Sequence, residues 1–441
     1  MKKNDYIKSE IIDVNHDGMG VCKVDNFVVF VNGAITKDVC NIKIIKVKKN
    51  YAIGRLEEII GKSPYRVKSF CPYSNECGGC DFCHIDYKYQ LEIKRKNIEN
   101  TLKIRGVNTD VNEVIPMENP FNYRNKGQFP CGEKDGKYFF GFYKKRSHNI
   151  IEIKNCMIQH QKINEVLHQC NKFINKYKLK SYNEETGKGL VRHLVVKYAF
   201  NTNELMVALV LNSKDFKYNS EFAQEMRSIG ATTVLINYNK DKTNIILGKK
   251  YDVIYGNGYI IDELNGNKFK ISLHSFYQVN PIQTTKLYNK ALELMGENDN
   301  VLDAYCGIGT ISLMLAEKNN NVTAIEYVKE AVDCAKENKE LNALENVEFI
   351  VGLAEEEISK IHNLDAIIVD PPRKGLDTKF IDAVAQHVKK IIYISCDVKT
   401  LARDLGIFAE KGYCIGDVQP VDMFCMCNHV ECVILLTRKG G

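Results

Sequence analysis

The sequence predicts an α/β protein in which a parallel, doubly wound sheet forms the C-terminal part and mostly β structure precedes it. From about residue 280, near-continuous apolar runs alternate with helical stretches, which is typical of parallel strands joined by helices. Residues 1–66 show short apolar–polar alternations between Gly, Asn and Asp turns, a spacing that suits a small β-barrel. The length of 441 residues exceeds one ordinary domain. We therefore expect three units: 1–66, 67–275 and 276–441.

Composition and charge restrict the classes of function. No apolar run approaches the roughly 20 residues that cross a bilayer, and the N-terminus lacks the apolar core of a signal peptide, so we expect a cytoplasmic protein without a membrane partner. Residues 1–275 carry 44 Lys and Arg against 30 Asp and Glu, whereas residues 276–441 carry 17 against 25. This asymmetry predicts that one part grips a polyanion and another processes it, although solvated surface alone would also produce it.

The N-terminal segment contains two short motifs, GMGV at residues 18–21 and VVFVNG at 28–33. They resemble the TRAM domain, an OB-like barrel found on RNA-modifying enzymes. That resemblance implies that this segment contacts RNA. The same strand pattern would also suit a barrel that has no partner.

A glycine-rich turn, DAYCGIGT at residues 303–310, follows the first predicted strand of the C-terminal sheet. Glycines let the backbone turn tightly and approach a ligand, but the third glycine of a dinucleotide fingerprint is missing. Glu326 ends the second strand, where an acidic side chain accepts hydrogen bonds from ribose hydroxyls. Together with DPP at 370–372, these features resemble the class I methyltransferase fold. The resemblance implies S-adenosylmethionine as co-substrate, with another nucleotide as the alternative.

Cys396 ends the fifth predicted strand, and a helix over residues 399–405 follows at once. Strand ends of open α/β sheets face the ligand crevice, and a helix N-terminus lowers the pKa of a nearby thiol. Cys396 is therefore a candidate nucleophile, although an isolated sheet cysteine is more often simply buried. Glu431 opens the last apolar strand and is the candidate base, unless it is a structural carboxylate at the edge of the strand.

Three segments, ISCDVKTLARDL at 394–405, DPPRKGL at 370–376 and HVE at 429–431, together resemble the RNA (uracil-5-)-methyltransferase family. The resemblance extends over the whole chain, including SFYQVN at 275–280, and is greatest to the branch that modifies 23S ribosomal RNA and has a TRAM domain. It implies a Cys nucleophile at Cys396 and a Glu base at Glu431. The side chains that it implies beside S-adenosylmethionine or the target base are Gln278, Tyr305, Glu326 and Asp370.

The chemistry of uracil explains why such a family needs a thiol and a base. Carbon 5 is a poor nucleophile until a thiolate adds to carbon 6, and its proton must later be removed so that the thiol can leave. Amino-group methyltransferases place an aromatic residue after Asp-Pro-Pro, where this chain has Arg373. Cytosine-5 enzymes place a second cysteine there, which this chain lacks, so uracil is favoured.

Cysteines at positions 71, 77 and 80 are separated by five and then two residues, and Cys83 and Cys156 follow. Thiolates at such spacings can converge on a metal centre, but no second Cys-x-x-Cys pair completes a zinc ribbon. An iron–sulfur cluster, zinc and no metal at all remain open from the spacing. The family resemblance implies a [4Fe-4S] cluster held by Cys71, Cys77, Cys80 and Cys156, with Cys83 as an extra thiol. We expect this cluster to support the architecture of a central, mostly-β domain.

Aromatic and cationic residues are interleaved in FNYRNK at 121–126 and GFYKKRSH at 141–148, a pattern that suits stacking on unpaired bases and equally suits solvated strand faces. A helical segment near 87–117 is expected to pack on the catalytic domain. The sequence therefore predicts methylation of carbon 5 of a uridine in 23S ribosomal RNA, with transfer RNA as second candidate. A non-enzymatic RNA-binding or assembly factor and a small-molecule methyltransferase are the alternatives from other classes.

Overall fold

The N-terminal strands form one curled sheet in the computed structural model, which describes residues 1–438. The strands pair in the order β1-β5-β6-β4-β3-β2. Their bounds are β1 Tyr6–Glu10, β2 Asp13–Val14, β3 Met19–Val24, β4 Phe27–Asn32, β5 Val39–Val47 and β6 Tyr51–Gly61. Alternate side chains point inward and build a small core that includes Cys22, Val29 and Ile42.

Residues 71–83, which we call the cysteine segment, precede helix α1, Tyr87–Ile104. The Asp86 side chain caps this helix. Ile98 and Leu102 on its buried face belong to the same apolar core as strands of the C-terminal sheet. The helix ends earlier than the predicted segment near 87–117, because Gly106 at φ +71° turns the chain. Residues 107–117 instead run extended along the C-terminal domain.

The central sheet has the strand order β13-β12-β11-β10-β7-β8-β9, and only β11 and β12 are parallel neighbours. Helices α2 and α3 cover one face, and the buried strands β10 and β11 also pack on a hairpin, β14 and β15, on the other face. The bounds are β7 Lys126–Lys134, β8 Lys137–Tyr143, β9 Ile150–Glu152, α2 Gln161–Lys176, β10 Val191–Tyr198, β11 Leu205–Leu211, α3 Asn219–Ser228, β12 Thr233–Tyr238, β13 Lys250–Tyr255, β14 Tyr259–Leu264 and β15 Asn267–Ser272.

The C-terminal sheet has the order β18-β17-β16-β19-β20-β23-β21, with β22 also paired to β23. Strands β16, β17 and β18 build one half of the sheet, and the chain then returns to place β19 on the other side of β16. The strand order reverses at this point, so a crevice forms at the carboxyl ends of β16 and β19. The bounds are α4 Pro281–Met295, β16 Asn300–Asp303, α5 Thr310–Ala316, β17 Asn321–Glu326, α6 Lys329–Leu341, β18 Val347–Val351, α7 Ala354–Glu357, a 3₁₀ turn Ile358–Lys360, β19 Ala366–Val369, α8 Thr378–His387, β20 Lys390–Ser395, α9 Val398–Glu410, β21 Tyr413–Ile415, β22 Gln419–Val421 and β23 Glu431–Arg438.

Among the described residues, none of the helices combines the length and the apolar character that crossing a bilayer requires. The cytoplasmic location therefore stays a prediction. The domain boundaries at 66/67 and 275/276 also stay predictions, and helix α1 belongs in sequence to the second unit while it packs on the third.

Candidate active site and cysteine cavity

Cys396 and Glu431 meet at one edge of the C-terminal sheet. Strand β20 ends at Ser395, which pairs with Cys432 in the antiparallel strand β23. The next step of that register brings Cys396 level with Glu431. On its other side Glu431 pairs with Val421 of β22, so the carboxyl-bearing residue is held between two neighbouring strands.

The thiol of Cys396 is protonated in the free protein. Burial raises its pKa to about 12, the carboxylates of Glu431 and Asp370 act in the same direction, and the Arg373 cation opposes them. The net shift of this pKa is upward, while the lowering contribution expected from the start of helix α9 stays a prediction. The side chain of Asp397 accepts hydrogen bonds from the N–H groups of Lys399 and Thr400 at 2.9 and 3.1 Å. These two backbone N–H groups at the start of helix α9 are therefore already hydrogen-bonded within the protein.

Glu431, which is buried, and Asp370, which is half-buried, form a pair of acids beside the thiol. Glu431 is 3% exposed, and its pKa is raised by burial and by the charge of Asp370. The pKa of Asp370 is raised by burial and by the charge of Asp303. Neighbouring carboxyls that cannot both ionise easily hold a proton at higher pH than isolated ones. Both carboxyls therefore keep their protons at higher pH than isolated acids do, and carboxyls with raised pKa values can take part in acid–base catalysis.

The glycine-rich turn lies at the end of β16, beside the crevice of the sheet. Gly307 and Gly309 adopt positive φ angles of 54° and 83°. The Glu326 carboxylate accepts hydrogen bonds from the N–H groups of Gly307 and Val328 at 3.2 and 2.9 Å, which fixes its orientation at the crevice. One oxygen of Asp303 accepts from the Ser312 hydroxyl at 2.6 Å, while its other, buried oxygen has no partner among the described residues.

The other predicted binding residues lie near the same crevice. Tyr305 is half-buried and packs against Phe380, with ring centroids 5.8 Å apart. Gln278 is almost fully buried, and its backbone carbonyl accepts a hydrogen bond from the Asn125 side chain at 2.9 Å. Buried Tyr288 on α4 was not predicted. Burial and the charge of Asp370 raise the pKa of its hydroxyl, which lies near the side chains of Gln278 and Thr310.

The predicted cysteines line one cavity of about 300 Å³, together with Arg124 and Lys126. The cysteines concerned are Cys71, Cys77, Cys80, Cys83 and Cys156. Within residues 1–438, no three His, Cys, Asp or Glu side chains are arranged to hold a single metal ion. The thiols thus surround a shared space without converging on one point. Cys83, predicted as an extra thiol, lines the same cavity and is buried.

Sequence reasoning missed Cys427, which reaches the cysteine segment from the C-terminal domain. Its thiol donates to the Gly79 carbonyl at 3.1 Å. The N–H groups of Asp81 and Phe82 both donate to the Met426 carbonyl at 3.0 Å. The only signal in the sequence is the Cys-Met-Cys run at 425–427, which by itself does not indicate a partner.

The two aromatic and cationic segments differ in exposure. Tyr123 of the first is buried and donates its hydroxyl to the Cys425 carbonyl at 2.9 Å, so it does not form an exposed stacking surface. In the second segment, Lys144, Arg146 and His148 are exposed. The second segment therefore has the more accessible cations, while Arg124 and Lys126 of the first are half-buried.

Comparison with known proteins identifies the family to which the chain belongs. The family model described as tRNA (Uracil-5-)-methyltransferase matches residues 86–439, and the TRAM domain model matches residues 10–56. An uncharacterized RNA methyltransferase of Clostridium tetani is 44% identical, covering 100% of this chain and 98% of the relative. An uncharacterized RNA methyltransferase of Listeria innocua is 41% identical, and the match covers 100% of this chain and 99% of that relative.

A solved structure is similar over nearly the whole length of both chains. It is the Pyrococcus abyssi tRNA (uracil-54, C5)-methyltransferase in complex with S-adenosyl-L-homocysteine, with a TM-score of 0.80 and 27% identity. The match covers 98% of this chain and 99% of the Pyrococcus abyssi chain. The likeness therefore includes the N-terminal sheet as well as the C-terminal one.

Proposed function

We propose that this chain, which belongs to the RNA (uracil-5-)-methyltransferase family, methylates carbon 5 of an RNA uridine through a covalent bond from Cys396. The family assignment makes it an S-adenosylmethionine-dependent RNA methyltransferase with a TRAM domain. The observation that carries the covalent route is the register of β20 and β23, which sets Cys396 beside Glu431. A thiol next to a buried carboxyl is the pair that this chemistry requires.

The first step is attack by Cys396. Its S–H proton passes to a carboxylate of the Glu431–Asp370 pair, and the sulfur bonds to carbon 6 of the uracil, which turns the ring into an enolate at carbon 5. Because the thiol pKa is raised, attack needs this proton acceptor within the crevice. Carbon 5 then bonds to the methyl group of bound S-adenosylmethionine, while the bond between that methyl group and the positively charged sulfur breaks, so that S-adenosylhomocysteine leaves.

The second step is proton removal by Glu431. Its ionised carboxylate takes the proton from carbon 5, the electron pair re-forms the double bond to carbon 6, and the bond to the Cys396 sulfur breaks. Glu431 must therefore have passed on any proton it took during the attack. Asp370, whose charge raises the Glu431 pKa, is the neighbouring carboxyl that can hold it.

The residues at the glycine-rich turn fit the co-substrate. Glu326, oriented by two backbone N–H groups, has lone pairs left for ribose hydroxyls. The unpartnered oxygen of Asp303 is an acceptor without a donor, as expected for a site whose ligand supplies one. Tyr305, Gln278 and Asp370 are proposed to contact the methyl donor or the target base.

Replacing Glu431 by Gln tests the two-step route. With RNA and S-adenosylmethionine, Glu431→Gln should accumulate an RNA–protein adduct that survives denaturation, because attack continues while proton removal stops. Glu348→Gln, an exposed glutamate on β18, is the matched control and should show no excess adduct. A Glu431→Gln enzyme that turns over without trapping RNA would contradict the role of the base.

Ribosomal RNA is our first candidate substrate. The basic residues of the first 275 positions and the TRAM domain extend the RNA-binding surface well beyond one base, which suits a large folded RNA. Transfer RNA is the second candidate, because the similar Pyrococcus abyssi protein acts on tRNA and is covered over 99% of its chain. The N-terminal barrel therefore does not by itself separate the two classes.

Mapping 5-methyluridine distinguishes the substrates. In a strain lacking this protein, we expect the modification to disappear from 23S ribosomal RNA and to return with the wild-type chain but not with Cys396→Ala. Loss confined to transfer RNA would replace the first candidate with the second. An unchanged pattern in both RNAs would contradict the proposed activity.

We also propose that the cysteine cavity holds a [4Fe-4S] cluster through Cys71, Cys77, Cys80 and Cys156. No three candidate ligands within residues 1–438 surround a single metal ion, so the proposal depends on the grouping of the thiols around one cavity. A multi-iron cluster keeps its thiolates apart by its own width, which suits thiols placed around a cavity. The cluster would join the cysteine segment to the segment containing Cys156.

A further inference from the structure

The loop between β22 and β23, residues 422–430, determines where Glu431 stands, and we call it the base loop. It closes on the pair Val421–Glu431, so it leads directly into the proposed base. No donor within residues 1–438 hydrogen-bonds the Glu431 carboxylate. Its position therefore depends on the backbone that supports it, and what fixes the base loop also fixes the carboxylate.

A fully buried ion pair holds the start of this loop. Lys94 of helix α1 pairs with Asp422, and both side chains have no solvent exposure. The Lys94 ammonium also donates to the Phe424 carbonyl at 3.1 Å, and the Tyr87 hydroxyl donates to Asp422 at 2.6 Å. Burying two charges is costly, and apolar side chains would hold a helix at least as well. Such a pair instead gives a directional contact that selects one placement of the loop.

Other segments of the chain hold the rest of the base loop. Around residue 426 the backbone has a positive φ of 67° and accepts two hydrogen bonds from the cysteine segment. Three of the other anchors come from the N-terminal sheet region, the segment at 121–126 and the turn before α4. They are His16 O with Asn428 Nδ2 at 2.7 Å, Tyr123 Oη with Cys425 O at 2.9 Å, and Asn280 Nδ2 with Met423 O at 3.1 Å.

We propose that Lys94 and Asp422 are positioning residues for Glu431, which align its carboxylate with the proton on carbon 5. The inference rests on the proposed function, in which Glu431 removes that proton. Helix α1 thereby acts on the reaction although it lies more than 300 residues before the base in sequence. The Lys94–Asp422 pair does not contact the thiol, and Asp370 remains beside Cys396 to accept the S–H proton. Loss of the ion pair therefore affects the second step and leaves the attack by Cys396 intact.

The substitution Lys94→Met separates the two steps. It keeps the length of the side chain but removes the ammonium, so the base loop loses its contacts to Asp422 and Phe424. At saturating RNA and S-adenosylmethionine, we expect adduct formation at the parent rate and proton removal slowed about 10- to 100-fold, the size expected when a reacting group is misplaced by an ångström. Tritium release from RNA labelled at carbon 5 measures proton removal, and a denaturing gel measures the adduct.

Two further variants separate positioning from general loss of stability. Arg66→Met breaks another buried pair, with Asp38 in the barrel, whose side chains are 13% and 0% exposed. It should lower Tm without raising the adduct fraction. Lys94→Met combined with Asp422→Asn removes the unpaired buried charge, so it should regain Tm relative to Lys94→Met while tritium release stays slow.

Two results would overturn this inference: tritium release at the parent rate in Lys94→Met, or an equal rise of adduct in Arg66→Met. Glu431→Gln serves as the reference in the same experiment. If Glu431→Gln traps the adduct and Lys94→Met does not, only the positioning role fails. If neither traps RNA, the proposed function itself fails.

Discussion

The catalytic crevice and the cysteine cavity both contain half-buried thiols, but their neighbours differ. Cys396 stands alone beside two carboxyls and the Arg373 cation, at the end of a strand whose register fixes it. In the cavity, five thiols face one another across about 300 Å³ on irregular segments, with cations nearby. A lone thiol beside groups that move protons suits a nucleophile, whereas thiols grouped around a space suit ligands. The two proposals for these thiols thus depend on the surroundings and not on the residue type.

The two regions are also joined. The base loop runs from the crevice to the cysteine segment, where the Cys427 thiol donates to Gly79. Substitutions in the cavity are therefore expected to affect stability first and the rate of methylation second. Substitutions in the crevice are expected to affect the rate of methylation first and stability second.

The largest expected effect is the loss of methyl transfer in Cys396→Ala. Without the sulfur, carbon 5 never becomes nucleophilic, so the rate should fall at least about 10³-fold while RNA affinity is retained. Methyl transfer from labelled S-adenosylmethionine and RNA binding by filter retention measure the two properties. Cys414→Ala, an exposed cysteine on β21 in the same domain, should keep parent activity. Transfer by Cys396→Ala at more than a few per cent of the parent rate would remove the thiol from the mechanism.

Next in size is the loss of bound iron in Cys156→Ala. Removing one of four ligands should release the cluster, bleach the brown colour of anaerobically purified protein and lower Tm. The control is Cys170→Ala on α2, a fully buried cysteine outside the cavity, which should keep its iron. Stoichiometric zinc without iron in the parent protein would show that the cavity holds a different metal.

A smaller effect is the dependence of the rate on pH. Burial raises the pKa of the Cys396 thiol to about 12, and the thiolate is the attacking form. Well below that pKa, each pH unit multiplies the thiolate fraction by about ten, and the raised pKa of Glu431 acts in the same direction. We therefore expect kcat/KM, which reports the free enzyme, to rise continuously from about pH 6 to 9. A profile that is flat above about pH 7 would mean that the carboxylate that accepts the thiol proton is already ionised there, so that the raised pKa of Cys396 no longer limits the attack.

Much of the crevice could be predicted because strand ends are visible in the sequence. Glu326, Asp370 and Cys396 each end or follow an apolar run, and the sheet then brings these positions to one edge. The direction of the Cys396 pKa could not be predicted, since it depends on burial and on carboxyls that come from two other strands.

The contacts across the chain were not visible in the sequence. Lys94 looks like one of several lysines on an amphipathic helix, and only the fold shows that its ammonium is buried against Asp422. Tyr123 was predicted in an RNA-facing segment, but it packs inward and binds Cys425. Periodicity indicates which face of an element is apolar, and it does not indicate which distant segment covers that face.

The smallest expected effect is a loss of co-substrate affinity in Glu326→Gln, which tests the crevice without touching the thiol. An amide keeps one oxygen acceptor for the ribose hydroxyls but loses the charge that strengthens those hydrogen bonds. The Kd for S-adenosylmethionine should rise about tenfold, or ~1.4 kcal/mol. Isothermal titration measures it, with Glu348→Gln on the neighbouring strand as the matched control. Unchanged affinity would mean that Glu326 only orders the glycine-rich turn through its bonds to Gly307 and Val328, and that the ribose is recognised elsewhere.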